Sequence, residues 1–234
     1  MRRFFAETVF ADKLVITGDE ASHIKNTLRM REGDEFIAFD GTGVDYHCRI
    51  TKTDKLVRAD IITRRQNECE IDVDVTLYQA YPKSGKMEEI VQKAVELGAA
   101  GIVPFISARC VKKPDSTARL MRVALSAVKQ CGRSVLPAVD GILNFEQALE
   151  KMQRHERLIV CWEGEKNTSL KTALCGRPKD IAVVIGPEGG FEEYEVESMR
   201  KRGGVTVTLG PRILRTQTAG MFVLSAIMYD MGQI

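Results

Sequence analysis

Arg212 and Arg215 stand three residues apart in Leu209-Gly210-Pro211-Arg212-Ile213-Leu214-Arg215-Thr216, and Glu188 stands inside Gly186-Pro187-Glu188-Gly189-Gly190. Cations and a carboxylate in glycine-flanked loops suit the holding of a polar ligand. An arginine so placed can also stabilise charge that develops on a reacting oxygen. Apolar Ile213 and Leu214 between the arginines fit a loop whose backbone holds a flat ligand while Arg215 faces something anionic. Solvated surface charge is the other reading of both arginines. For Glu188 it is the fixing of its own loop through backbone hydrogen bonds. Adjacent glycines at 189 and 190 each cost roughly 0.5 to 1 kcal/mol relative to Ala in regular structure, so they point to positive φ or a close backbone approach.

Several other chemistries are excluded. The chain has no G-x-x-x-x-G-K-[ST] phosphate cradle, and its GPEGG does not match the G-x-G-x-x-G of dinucleotide sites. Cysteines 48, 69, 110, 131, 161 and 175 form no C-x-x-C pair, and the histidines are His23, His47 and His155 alone. That pattern argues against a zinc site or other metal centre and against a disulfide framework, and reads as reduced, structural thiols.

Strands and helices must position the two loops. Residues 181–185 are apolar and β-branched, as suits a strand covered on both faces, and Gly186-Pro187 stops its pairing. Acidic residues at 192, 193 and 195 fit the first turn of a helix to about 202. A second strand at 205–209 leads into the arginine loop and a helix over 216–231. Earlier pieces alternate in the same way: strands at 73–80, 102–106 and 158–162, helices at 87–97, 116–131 and 145–153. Such alternation predicts an α/β domain, a mostly parallel sheet with helices on both faces. The last helix is apolar nearly all round from Met221 to Met228, so it is buried in a core or against a second subunit. Lys83, Lys86 and Lys93 accompany Glu88, Glu89 and Glu96 along one helix, and charge pairing on its outer face explains most of them.

The first 70 residues differ. Strand-like pieces at 3–7, 13–16, 35–39, 46–51 and 56–63, with a short helix to about 30 carrying His23 and Arg29, predict a small β domain. It can grip RNA or serve only as packing. Polar residues from Arg64 to Glu68 place a linker at 65–72 between two domains, 1–70 and 73–234. No apolar run approaches a membrane span, and Met1-Arg2-Arg3-Phe4-Phe5 opens no signal peptide, which predicts a cytosolic protein without a membrane partner. The net charge of +2 is too mild to announce a nucleic-acid binder. Between 109 and 133, however, Arg109, Lys112, Lys113, Arg119, Arg122, Lys129 and Arg133 meet only Asp115. This segment reads either as a set of phosphate contacts or as a solvated helix face.

The chain resembles the RsmE family of 16S ribosomal RNA uridine N3-methyltransferases, in the SPOUT superfamily of knotted enzymes. The resemblance rests on Arg2-Arg3-Phe4-Phe5, on His23 with Leu28-Arg29 before Gly33-Asp34, and on Lys93-Ala94-Val95-Glu96-Leu97-Gly98 before Ile102-Val103-Pro104. It continues through Arg109, Gln130-Cys131-Gly132-Arg133, residues 185–191 and residues 209–216. It implies a PUA-like β-barrel for RNA over 1–70, and over 73–234 a trefoil-knotted domain that binds S-adenosylmethionine and forms a homodimer through the knot and the last helix. Periodicity cannot suggest a knot. The cofactor walls implied are Cys161, Trp162 and Glu163, then Ile185, Gly186, Pro187, Gly189 and Gly190, then Leu209, Gly210, Ile213, Leu214, Thr216, Thr218 and Ala219. Arg215 and Glu188 become the implied catalytic pair. Arg2, Arg3, His23, Arg29, Lys86, Arg109, Lys112 and Arg133 become the implied contacts to 16S ribosomal RNA of the small ribosomal subunit. Two positions depart from the family pattern: Gln217 stands where Glu is usual, and Lys86 where Arg is common, which loses the planar fork. Transfer RNA methylation by another SPOUT branch, and a non-catalytic RNA-binding assembly factor, are the competing readings.

Overall fold

Residues 35–39 and 44–53 bring apolar side chains to one face and pair antiparallel around Asp40-Gly41-Thr42-Gly43, with Glu35 opposite Arg49 and Phe39 opposite Asp45. Gly41 and Gly43 hold φ of 90° and 94°, a left-handed geometry open to glycine. The computed structural model describes residues 1–83, 85–111 and 116–233, and divides them into two units. One joins Met1–Glu70 with Leu125–Leu136, and the other joins Ile71–Ala124 with Pro137–Ile234.

The first unit contains β1 (Arg3–Phe5), β2 (Thr8–Val9), β3 (Lys13–Ile16), α1 (Gly18–Ser22), a π-helical turn (His23–Thr27), β4 (Glu35–Phe39), β5 (Val44–Thr53) and β6 (Val57–Gln66). Its sheet runs β1-β4-β5-β6-β3-β2, antiparallel except where β1 lies parallel to β4. No ladder joins edge strands β1 and β2 among the described residues, so the expected barrel is an open, curled half-barrel. Phe4, Leu14, Ile16, Ile24, Phe36 and Ile50 fill its concave core.

Residues expected to form a linker instead do structural work here. Arg65 and Gln66 complete β6, and Asn67 is buried, its amide donating to Asp45 at 3.0 Å, the Gly132 carbonyl at 2.9 Å and Ser134 at 3.1 Å. Glu70 accepts the backbone N–H groups of Ser134 and Val135, both at 2.7 Å, and pairs with Arg133 at 3.0 Å. Arg3 completes the cluster with two bonds to Asp45, at 2.7 and 3.2 Å, and further bonds to the Ser134 hydroxyl and the Arg133 carbonyl. Residues 132–135 thus meet the first unit by side chains some 65 to 130 positions away, a pairing that a reading of local polarity had no means to register.

The second unit contains β7 (Asp74–Ala80), α2 (Lys86–Glu96), β8 (Gly101–Ile106), α3 (Ala118–Cys131, whose last turns belong to the first unit), β9 (Ala138–Val139), β10 (Leu143–Asn144), α4 (Phe145–Met152), β11 (Arg157–Cys161), α5 (Leu170–Ala173), β12 (Asp180–Ile185), α6 (Glu193–Lys201), β13 (Val205–Val207) and α7 (Thr216–Asp230). All its ladders are parallel, in the order β10-β8-β7-β12-β11-β13 with β9 also on β8. Central β12 is buried from Ile181 to Ile185, because it carries neighbours on both edges and helices over both faces. Tyr78, Val160 and Val184 point to the side where α4 and α6 pack, whereas α7 lies on β7 and β12 beside α2. A reciprocal capping box starts α4, Asn144 with Gln147, and at α6 the Glu195 carboxylate accepts the N–H of N-cap Glu192. The expected strands and helices of this unit recur within two residues, and β9, β10 and α5 were not expected; in the first unit the strand expected at 56–63 runs on to Gln66 and the helix expected to about 30 ends at Thr27.

The Asn67 cluster makes a measurable demand on stability. Asn67→Ala removes a donor from buried Asp45 and from a backbone carbonyl, and is expected to lower the unfolding free energy by about 1 to 3 kcal/mol in denaturant titration. Burial opposes ionisation of Asp45, but hydrogen bonds from Arg3, Ser134 and Asn67 outweigh it and hold the carboxyl below its usual value of 3.8. A folded-state value below the unfolded one gives stability that is present above pH 3.8 and lost as pH falls beneath it. Acid titration of wild type and Asp45→Asn should therefore converge at low pH; curves that stay parallel contradict the assignment.

Candidate active site

Parallel pairing puts the carboxyl ends of the central strands in one row. Pro104 pairs with Gln79, Gln79 with Ile185, Ile185 with Cys161, and Cys161 with Val207. Three loops leave this row after β11, β12 and β13, and a cavity of about 970 Å³ opens among them. Ligand sites of parallel α/β sheets form outside this end of the strands.

The loop 186–190 is held by the Lys83 backbone, by Lys86 at the start of α2 and by Arg109. Both oxygens of Glu188 accept the Lys83 N–H, at 3.1 and 3.0 Å, and Lys86 Nζ lies 3.5 Å away. Burial works against ionised Glu188, but that N–H bond and the Lys86 charge prevail and keep its carboxyl below the ordinary 4.5. Arg109 donates through Nε and Nη2 to the two carboxylate oxygens of Glu192, at 2.8 and 2.9 Å, and through Nη1 to the Gly189 carbonyl at 2.7 Å. Fully buried Glu195 accepts the N–H groups of Ala108 and Glu192, joining the loop after β8 to the start of α6. Gly190 sits at φ of 70°, and a Cβ there would come within 2.2 Å of Glu163 Oε1.

The loop after β11 begins with Trp162, whose N–H donates to the Val207 carbonyl and whose ring lies 5.1 Å from the Arg200 guanidinium. Glu165 accepts N–H groups of Asn167, Thr168 and Lys166 and the Thr206 hydroxyl; the backbone donors hold its carboxyl down to about 2. On the third loop Gly210 holds φ of 100°, and Ile213 is 89% exposed between two exposed arginines. Neither the Arg212 nor the Arg215 side chain has a hydrogen-bond or ion-pair partner among the described residues. Arg215 is the N-cap residue of α7 but makes no side-chain cap. Thr216 follows it, 5% exposed, its hydroxyl donating to the Gly186 carbonyl at 2.6 Å.

Every cofactor residue expected from the sequence lines this cavity except Thr218. Thr218 is exposed: two residues beyond Thr216 on a helix is a rotation of about 200°, which turns it to the opposite side. Glu188 and Arg215 also line it, as do Lys86, Lys166, Thr208 and Pro211, of which the last three were not anticipated. Cys161 is buried, and loss of solvent pushes its thiol up to about 12, so it lines the wall as an apolar group. Gln79 supports the site from below and was missed, although a lone amide in the apolar run 75–80 was a visible signal. Gln217 is half-buried, and its Oε1 has no partner among the described residues.

The expected RNA contacts divide sharply. Arg133 is 5% exposed and paired with Glu70, and Arg3 is engaged by Asp45, so neither is placed to meet RNA phosphate. Arg109 uses its donors on Glu192 and Gly189, Arg119 pairs with Glu88 and Lys129 with Glu20, while Arg122 is exposed with no ion pair among the described residues. Lys86 sits at the cavity rim beside Glu188. Arg2, His23 and Arg29 are exposed. Lys112 lies outside the described residues.

Comparison with known proteins assigns this arrangement to a family. A model of the RNA methyltransferase domain matches residues 69–228, and one of the RNA methyltransferase PUA domain matches 16–62. The chain is 35% identical to the ribosomal RNA small subunit methyltransferase E of Bacillus subtilis, over 98% of this chain and 97% of that one. Among solved structures it is similar to the ribosomal RNA small subunit methyltransferase E of Neisseria gonorrhoeae bound to S-adenosylmethionine, with TM-score 0.86, 30% identity and 97% of each chain covered. A putative methyltransferase of Legionella pneumophila, in complex with the same cofactor, gives a TM-score of 0.82 at 27% identity, again over 97% of each chain. The match runs through both units and takes in all three cavity loops, and the chain belongs to the ribosomal RNA small subunit methyltransferase E family of RNA methyltransferases.

Proposed function

We propose that this protein transfers the methyl group of S-adenosylmethionine to N3 of a uridine in 16S ribosomal RNA of the small ribosomal subunit. The observation that carries this reading is a glycine-walled cavity with the unpaired Arg215 at its margin, in a chain of this family. The cavity fits the cofactor's chemistry. Ile185, Leu209 and Leu214 offer apolar surface for a flat base, the loop backbones offer hydrogen-bonding groups, and Glu163 offers acceptors for sugar hydroxyls. When bound, S-adenosylmethionine supplies an electrophilic methyl group on a sulfonium centre.

The chain's own residues then have to orient and neutralise. Direct displacement needs alignment above all, and loops held at Glu188, Arg109 and Thr216 provide a fixed wall for it. As uridine N3 gives its proton to solvent water, negative charge spreads to the flanking carbonyl oxygens, and Arg215 is a guanidinium without a side-chain partner among the described residues that can meet it. Glu188, expected as a catalytic carboxylate, fits better as a holder of the loop, because both its oxygens already accept the Lys83 N–H. Of the RNA contacts expected in the first unit, exposed Arg2, His23 and Arg29 are those left to meet phosphate. The α7 helix carries Phe222 and Tyr229 at 47% and 76% exposure, which suits a homodimer through that helix and the knotted region. We assign the chain to the cytoplasm as an enzyme of ribosomal RNA maturation.

Small subunits from a strain lacking the modification, incubated with labelled S-adenosylmethionine, should acquire label on uridine N3. Label on another base, or only on transfer RNA, overturns the assignment, and RNA binding without any methylation supports a non-catalytic factor. Arg215→Ala is expected to lower the single-turnover rate by roughly 10² to 10³ while RNA and cofactor affinities change little. Loss of cofactor binding at an unchanged saturated rate would instead make Arg215 a wall residue. Gly190→Ala forces a side chain into a left-handed conformation, at about 1 to 2 kcal/mol, and displaces Glu163. Calorimetry should then report weaker cofactor binding, by about tenfold if that energy appears in the bound state.

A further inference from the structure

Gln79 is the penultimate residue of β7, at the level of the cavity row and directly opposite Ile185, and is fully buried. Its Nε2 donates to the Thr216 hydroxyl oxygen at 2.9 Å and to the Ala80 carbonyl at 2.9 Å. Thr216 in turn donates to the Gly186 carbonyl at 2.6 Å. A hydroxyl has one proton, so with that proton on Gly186 the Thr216 oxygen can only accept from Gln79. Turning the amide over would set Oε1 against the Thr216 oxygen and the Ala80 carbonyl, acceptor against acceptor. The chain of donors therefore has one direction, from Gln79 through Thr216 to Gly186.

The other end of the amide shows that this arrangement is not one that stability alone favours. Gln79 Oε1 is buried and has no hydrogen-bond partner among the described residues. Gly220 of α7 faces it: a Cβ built there would lie 3.8 Å from Oε1 and 3.8 Å from both methyl carbons of Leu77. An unpaired buried carbonyl destabilises a fold, and methionine would occupy the same volume without it. Departures of this kind from local satisfaction gather where a site needs a particular group.

We propose that Gln79 is a positioning residue for the cofactor site: its buried amide directs the Thr216 hydroxyl onto the Gly186 carbonyl, joining the loop after β12 to the start of α7. Both loops line the cavity, and Arg215 immediately precedes Thr216, so one amide sets the spacing of two walls and the root of the arginine. This inference rests on the cofactor reading above and adds to it a residue that lies beneath the cavity surface.

Two substitutions test it, each followed by calorimetry with S-adenosylmethionine and by unfolding of the cofactor-free protein. Gln79→Met keeps length and removes both donors together with the orphaned carbonyl. It is expected to raise the cofactor Kd tenfold or more while the cofactor-free unfolding midpoint stays level or rises. Gln79→Glu presents only acceptors when ionised and regains an O–H donor when protonated. Its cofactor affinity should recover as pH falls, whereas wild type shows no such recovery. Wild-type affinity in Gln79→Met overturns the proposal, as does a loss of affinity matched by an equal loss of stability, which marks a packing residue. If Gln79→Met does not fold, the pH profile of Gln79→Glu decides, and a flat profile counts against the role. No cofactor heat from the unaltered protein defeats the cofactor reading itself, and this proposal with it.

Discussion

A loop whose backbone lines a cavity must have its own carbonyls and side chains held by something outside the cavity. For residues 186–190 that support is ionic and comes from elements far off in sequence, Arg109 on the Gly189 carbonyl and Glu192, and Glu188 on the Lys83 N–H. Buried Glu195 secures both the start of α6 and the loop after β8, which carries Arg109. Were these contacts absent, two adjacent glycines would leave the loop many conformations and no single wall. With them, the flexibility of glycine becomes access for a ligand to backbone groups.

The sheet supplies the other half of this constraint. Parallel strands β7, β12, β11 and β13 end in one row, so loops separated by tens of residues emerge side by side. Polar groups placed in that row are few and each has a task. Gln79 and Thr216 link β7, β12 and α7 by hydrogen bonds, while Cys161 and Ile185 leave the cavity floor apolar. The free charges stand apart, on the exposed segment that carries Arg212 and Arg215.

Charge elsewhere is largely internal. Arg109, Arg119, Lys129 and Arg133 make a basic run in the sequence, yet Glu192, Glu88, Glu20 and Glu70 neutralise them in the folded chain. Arg3 is likewise held by Asp45, in a cluster with Asn67 and Ser134 that binds residues 125–136 to the first unit. The four cations of that run therefore do not add up to a basic face in the folded chain.

By itself the sequence determined the class of each unit, most strands and helices, and two of the three loops that form the cavity, the third being implied only by the family resemblance. Those features follow from local pattern: period-two and period-3.6 burial, glycine and proline at strand ends, acidic residues at helix starts. The recognisable motifs also carried the family, through residues adjacent in the chain. Tertiary structure alone decided which charges are free. A side chain's partner is set by pairing across 60 to 130 residues, as with Arg133 and Glu70 or Arg3 and Ser134, and no spacing along the chain encodes it. It likewise turned Thr218 away from the cavity that Thr216 lines and placed buried Gln79 in hydrogen-bond contact with Thr216, because helix rotation and strand register, not nearness in sequence, select which atoms meet.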